Sequence, residues 1–123
     1  MATDIYRNVL PVVAAQDLPA ACLCKAVTLG GTIAAAVAAT AAGILVSQVN
    51  SGETASVAVD GLCKADLGTA ISTVGWPLKI TTSGWLAACA SGDQSVGRAI
   101  ALANSGDRSL VMLDMLNLGI WHG

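Results

Sequence analysis

The side chains best suited to chemistry are few and widely spaced. They are thiols at Cys22, Cys24, Cys63 and Cys89, one imidazole at His122, carboxylates at Asp60 and Asp114, and rings at Tyr6, Trp76, Trp85 and Trp121. Cys22 and Cys24 are separated by one residue, short of the spacing of a zinc knuckle, and no histidine lies near enough to complete a ligand set. All four cysteines read as reduced, partly buried thiols behaving as small hydrophobes. A general base must be held beside a nucleophile, whereas His122 is penultimate and reads as part of the tail. Asp60 and Asp114 each end a hairpin, and nothing in the sequence brings them to working distance. The tryptophans read as anchors at a core or an interface. Trp85, at a turn, is also the residue that a carbohydrate platform would use. With no phosphate loop, metal cluster or triad, the chain is expected not to be an enzyme and to need no cofactor or metal.

What positions these residues is suggested by composition first. The 123 residues are enough for one domain with a small core, and 11% charged residues with a net charge of −2 give little electrostatic reach. Six lysines and arginines, scattered singly, do not make a phosphate-binding surface, so direct nucleic-acid binding is not expected. The N-terminus carries Asp4 where an export signal would be basic, and export is not expected. The uncharged run between Lys25 and Glu53 is long enough to span a bilayer, but it is mostly Ala, Gly, Thr and Ser and lacks flanking basic and aromatic anchors. No membrane partner is expected. Small side chains and a weakly charged surface suit a protein that hides its exterior against copies of itself or a larger partner.

A shift of 54 residues lays residues 25–62 over residues 79–116 with twelve identities in thirty-eight positions, which marks an internal repeat. Asn50-Ser51-Gly52-Glu53 recurs as Asn104-Ser105-Gly106-Asp107, and Val57, Asp60 and Leu62 recur as Val111, Asp114 and Leu116. In the second copy the uncharged run is interrupted by Asp93 and Arg98, so both copies must read as strands and turns. Asn and Gly accept the backbone angles of a tight reversal, making Asn50–Gly52 and Asn104–Gly106 hairpin turns. Strands are expected over residues 43–49 and 54–59, and again over 98–103 and 109–113. Shorter ones fit residues 25–29, 32–36, 78–82 and 85–88, with turns at Gly30 and Gly84 and a loop over 64–77. An Ala-driven helix over 32–42 is the competing reading. In the second copy Val111 and Leu113 alternate with Leu110 and Met112, so that strand is expected to be buried on both faces, in a core or at a subunit contact.

The repeated order of strand, glycine turn, strand and polar hairpin resembles the head decoration, or capsid cement, proteins of tailed bacteriophages. The residues that carry it are AAGILVSQVNSGETASVAVDGL and SVGRAIALANSGDRSLVMLDML with the turns TLGGT and TSGWL. The segment Val74 to Leu78 departs from the family pattern, and residues 117–123 have no counterpart. The resemblance implies an all-β fold with minor α, a small β-barrel or β-tulip-like domain (22–123) preceded by an extended N-terminal arm (1–21). It implies a homotrimer that clamps neighbouring major capsid protein subunits on the outer surface of the virion, after synthesis in the host cytoplasm. Within the arm Ile5, Tyr6, Val9, Leu10, Val12 and Val13 are the candidate capsid-binding residues, since Pro11 and Pro19 disfavour helix and permit an extended edge. Leu110, Met112, Trp76 and Trp85 are candidates for a core or an oligomer interface. A receptor- or glycan-binding β module on a virion or cell surface, using Trp85 and the hairpin tips, is the alternative.

Overall fold

The computed structural model describes residues 5–33, 41–114 and 119–120. Ten strands occur among them: β1 (Ile5–Val13), β2 (Ala26–Thr28), β3 (Ala41–Leu45), β4 (Thr54–Asp66), β5 (Pro77–Ile80), β6 (Leu86–Ala88), β7 (Gln94–Ser95), β8 (Gly97–Ala99), β9 (Arg108–Asp114) and β10 (Gly119–Ile120). Only 3-10 turns, at Ala20–Cys22 and Thr82–Gly84, represent helix among the described residues. The protein is all-β, and eight strands form one sheet in the order β2-β3-β4-β9-β8-β5-β6, with β1 on β4, curled into a nearly closed barrel. Residues 34–40, on which the expected strand over 32–36 and the competing helix over 32–42 both fall, lie outside the described residues. No helix among the described residues is long and apolar enough to cross a membrane.

The long strand β4 organises the rest. Its residues Asp60 to Leu62 pair with β1 and with β9, so those two strands lie on opposite edges of it. Val57 and Ala58 pair with β3 and β1 in the same way, which puts β3 and β9 end to end along one edge. The strand thus runs seven residues beyond the expected end at Val59 and into the start, Lys64 to Asp66, of what reads in sequence as loop. The physical reason is the ladder from Asp60–Asp114 to Asp66–Arg108, which satisfies the backbone polar groups that a loop would have left to water.

Register shows where the repeat truly starts. The hairpin pairs Ile44–Ala58 and Leu45–Val57 reappear as Arg98–Met112 and Ala99–Val111, at the expected offset of 54. The pairing of β1 with the first half of β4, ending at Val13–Thr54, reappears as the pairing of the second half of β4 with β9, ending at Asp66–Arg108. Downstream, the Leu18–Val49 bridge corresponds to Ile71–Ala103. The N-terminal strand is therefore the first strand of the first repeat, and its counterpart is the second half of β4. The segment is extended, as expected of the arm, but its backbone is laddered to β4 from Ile5–Leu62 to Val13–Thr54.

Each half closes by a return to the end of its first strand, in registers that differ by two residues between the halves. In the second, β6 comes back to the end of β4 through a parallel bridge, Leu67–Leu86, and the Gly68 N–H donates to the Leu86 carbonyl at 2.7 Å. Five antiparallel strands leave the first and last pointing the same way, so the closing contact has to be parallel. In the first half the Ala15 N–H donates to the Gly31 carbonyl at 3.0 Å. Gly31 has φ +87°, and a Cβ there would lie 2.1 Å from the Val13 carbonyl oxygen, so only glycine permits this return. Its counterpart is Gly84, φ +78°, one residue away from the sequence alignment: the Thr28 N–H donates to Thr32 as Thr81 does to Trp85. Trp85 therefore replaces Thr32, not Gly31.

One continuous core runs through both halves. Val12, Leu18, Val27, Leu45 and Val57 fill the first, and Cys63, Leu67, Ile71, Leu78, Leu86, Val111 and Leu113 the second. Large and small residues trade places between copies, as Ala14 against Leu67 and Leu45 against Ala99, so shape changes while pattern persists. The strand buried on both faces is β4 at Val57, Ala58 and Val59 rather than β9. On β9, Val111 and Leu113 point inward while Met112 is 49% exposed and Leu110 half-buried, so the second face of that strand is not covered within the chain.

Candidate functional site

Among the described residues no group of histidine, cysteine and carboxylate side chains is arranged to hold a metal. The four cysteines are thiols. Cys63 and Cys89 are buried and Cys22 and Cys24 half-buried, as the reading of them as small hydrophobes implies. Burial, then the charge of Asp93, raises the Cys89 thiol above its ordinary value, with Lys79 opposing; this thiol is less reactive than a free one. His122, Trp121 and most of the tail lie outside the described residues, although Gly119–Ile120 pairs with Gln94–Ser95.

Asp60 and Asp114, which no sequence signal brings together, sit directly opposite one another in the β4–β9 ladder. Asn8 on the other edge reaches Asp60, its Nδ2 donating to Oδ2 at 3.4 Å. The pair arises because β4 extends past its own hairpin into the second half. Asp114 is exposed and Asp60 half-buried, so solvent screens them.

The chemistry-bearing residues do gather at one place, where the two halves meet. Asp66 is the buried charged residue of the described chain, 5% exposed. Its carboxylate accepts from Lys25 Nζ at 2.7 Å and from Arg108 Nε at 2.7 Å, with Arg108 Nη2 at 3.4 Å. Burial alone would raise the Asp66 carboxyl, but hydrogen bonds from Arg108 and Lys25 and their positive charges outweigh it and hold the group below the ordinary carboxylate range. The same cations reach back to the first half, Lys25 to the Ala21 carbonyl at 2.7 Å and Arg108 to the Leu23 carbonyl at 3.4 Å. Lys25 Nζ also lies 4.7 Å from the centre of the Trp85 ring, within cation–π range.

Beside this cluster Trp85 meets the second hairpin tip. Gly68, Thr81, Trp85, Ser105 and Gly106 wall an open cavity of about 350 Å³. Thr81 Oγ1 donates to the Trp85 carbonyl at 2.9 Å and Ser105 Oγ to the Gly68 carbonyl at 3.0 Å, fixing both walls. The tip is a rigid turn: the Asn104 N–H donates to Asp107 Oδ2 at 2.9 Å, as Asn50 does to Glu53 Oε1 at 2.6 Å, and Gly106 and Gly52 have φ +90° and +89°. Trp76 stands apart, half-buried, its Nε1 donating to the Cys89 carbonyl at 3.1 Å.

A second surface lies on the first half. Asn8, Val9, Leu10, Leu29, Ala41, Ala42 and Val59 line a cavity of about 430 Å³. Around it Val9 is 46%, Val13 62% and Leu29 63% exposed. Leu10 is half-exposed, Val12 is buried in the core, and Ile5 and Tyr6 are placed by their backbone pairing with Leu62 and Gly61. Of the expected arm residues, Val9, Leu10 and Val13 are thus available to a partner and Val12 is not.

No protein-family model matches this chain, and no curated protein matches it.

Proposed function

We propose that this chain is a non-enzymatic decoration protein of tailed-bacteriophage heads that binds the outer capsid surface and clamps neighbouring major capsid protein subunits. The observation that carries the reading is the exposed apolar rim of β1, Val9 and Val13 with Leu29, beside a cavity large enough to receive side chains of a partner. The small all-β fold, the low charge and the twice-used hairpin that resembles the decoration family support it.

Strand addition to a capsid subunit would use the edge of β1 that faces away from β4. Each Val or Leu withdrawn from water contributes at most about 1.5–3 kcal/mol, so a single rim binds weakly. A homotrimer presents three rims, and linkage raises avidity by roughly a hundredfold or more.

The test is co-sedimentation of the purified chain with undecorated heads, with its mass in solution measured by light scattering. Saturable attachment of a trimer is expected, weakened by Val9→Asp and Val13→Asp while the isolated proteins keep their fold. A monomer that stays in the supernatant at every concentration rules the proposal out.

A further inference from the structure

The internal repeat supplies its own control for the Trp85 cavity. Each lining residue has a structural counterpart in the first half: Ala15 for Gly68, Thr28 for Thr81, Thr32 for Trp85, Ser51 for Ser105 and Gly52 for Gly106. In the first half that corner is closed upon itself. Thr28 and Thr32 hydroxyls bond each other at 3.0 Å, and Asp17 Oδ1 accepts from the Ser51 N–H at 2.7 Å. In the second half three changes open it. A tryptophan stands for a threonine, a glycine for Ala15, and Ala70 takes the position of Asp17. A Cβ on Gly68 would lie 3.4 Å from Trp85 Cβ, so its absence keeps the floor beside the ring clear. The tip bonds match in the two halves, Gly52 N–H to the Ala14 carbonyl and Gly106 N–H to the Leu67 carbonyl, whereas the closing bond differs in register by two residues, Ala15 to Gly31 against Gly68 to Leu86.

We propose that this corner binds a neutral hexopyranose, as a free sugar or as a residue of a glycan, and that it does so independently of the capsid role. An indole wall offers a flat apolar surface to the C–H face of a pyranose ring. Thr81, Ser105 and the main chain of Gly68 and Gly106 offer hydroxyl and peptide partners at its rim. None of the five lining residues carries charge, which does not suit a phosphate or carboxylate ligand. The cavity is too open to enclose an acyl chain. The ring is held before any ligand arrives, because Lys25 sits over it and is itself fixed by the Asp66 carboxylate. Such preorganisation lowers the ordering cost of binding.

A hexose has about 12 heavy atoms, and ordinary ligand efficiency then gives a Kd of ~1 mM for one ring. The experiment is titration of the isotopically labelled full chain with glucose, galactose, mannose and N-acetylglucosamine to tens of millimolar, followed by two-dimensional NMR. The expected result is a saturable shift of the Trp85 indole N–H together with the Gly68 and Gly106 amides for at least one of these sugars. Trp85→Ala should weaken binding about tenfold, the upper end of what a ring contact contributes. Gly68→Ala, which restores the residue of the closed corner at a position with ordinary backbone angles, should weaken it several-fold without unfolding the chain. Absence of saturable shifts with all four sugars overturns the proposal. So do shifts that map elsewhere, or affinity that survives in Gly68→Ala and Trp85→Ala alike.

Discussion

Replacing Asp66 by asparagine tests the junction between the halves most directly. The substitution keeps shape and removes the charge that Lys25 and Arg108 share. Breaking a buried ion pair by removing one partner costs about 3–5 kcal/mol, but the two cations are not equally buried. The Lys25 side chain is 15% exposed and the Arg108 side chain 46%, so Arg108 rehydrates and its share falls toward the surface-pair value of about 0–1 kcal/mol. The expected loss is about 2–3 kcal/mol, or a fall in Tm of roughly 8–12 °C for a chain of this size. The pH dependence carries the same signature. The folded-state value of Asp66 is depressed, so its contribution is present above the unfolded-state value near about pH 4 and disappears as pH falls through the lower folded-state value. Thermal unfolding followed by circular dichroism, for both proteins from neutral to strongly acid pH, should show a gap in Tm that is widest at neutral pH and closes in acid. An asparagine variant as stable as the parent at neutral pH, or a gap that persists unchanged in acid, would refute the assignment of Asp66 as the electrostatic tie.

Glycine substitutions separate close approach from backbone angle. Gly31→Ala meets the Val13 carbonyl as well as an unfavourable φ and should cost about 2–4 kcal/mol, whereas Gly52→Ala, at the same φ with open space around it, should cost about 1 kcal/mol in urea unfolding. Asp93 is depressed by its hydrogen bonds from Lys79 and the Ala90 N–H but lies at the surface, so Asp93→Asn should lower Tm less than Asp66→Asn does. Under native conditions a thiol reagent should label Cys22 and Cys24 first, with Cys63 and Cys89 reacting only after denaturant is added; equal labelling of all four would contradict their placement.

What could be read from the sequence follows from the range over which each signal acts. The hairpins at Asn50–Gly52 and Asn104–Gly106 were legible because their chemistry is local: an Asn, a glycine at positive φ and an acid three residues on fold the tip by themselves. Gly43 and Gly97 recur because a Cβ at either would strike the facing carbonyl, of Ala58 at 2.2 Å and of Met112 at 2.4 Å. The role of the N-terminal strand was not legible. Val9, Val12 and Val13 stand opposite the same ladder positions as Leu62, Ala65 and Asp66, and nothing in those residue types reveals the equivalence, which rests on non-local register. For the same reason neither the run of β4 past Val59 nor the Asp60–Asp114 pair is visible in the sequence. The Trp85 corner was half legible. The ring and the hairpin tip were each singled out, but their meeting depends on the return of β6 to Leu67. The Asp66 cluster gave no sequence signal, since Lys25, Asp66 and Arg108 are scattered along the chain.

Because β4 belongs to both halves, tension cannot be absorbed by one of them alone. A pull on the N-terminus loads the β1–β4 ladder in shear, with its hydrogen bonds lying across the direction of force, and the continuous backbone of β4 hands that load to the β4–β9 ladder on its other edge. Load borne by the first ladder is thus shared with the second through one continuous strand. A molecule joined this way resists being drawn apart more stiffly than two beads on a linker.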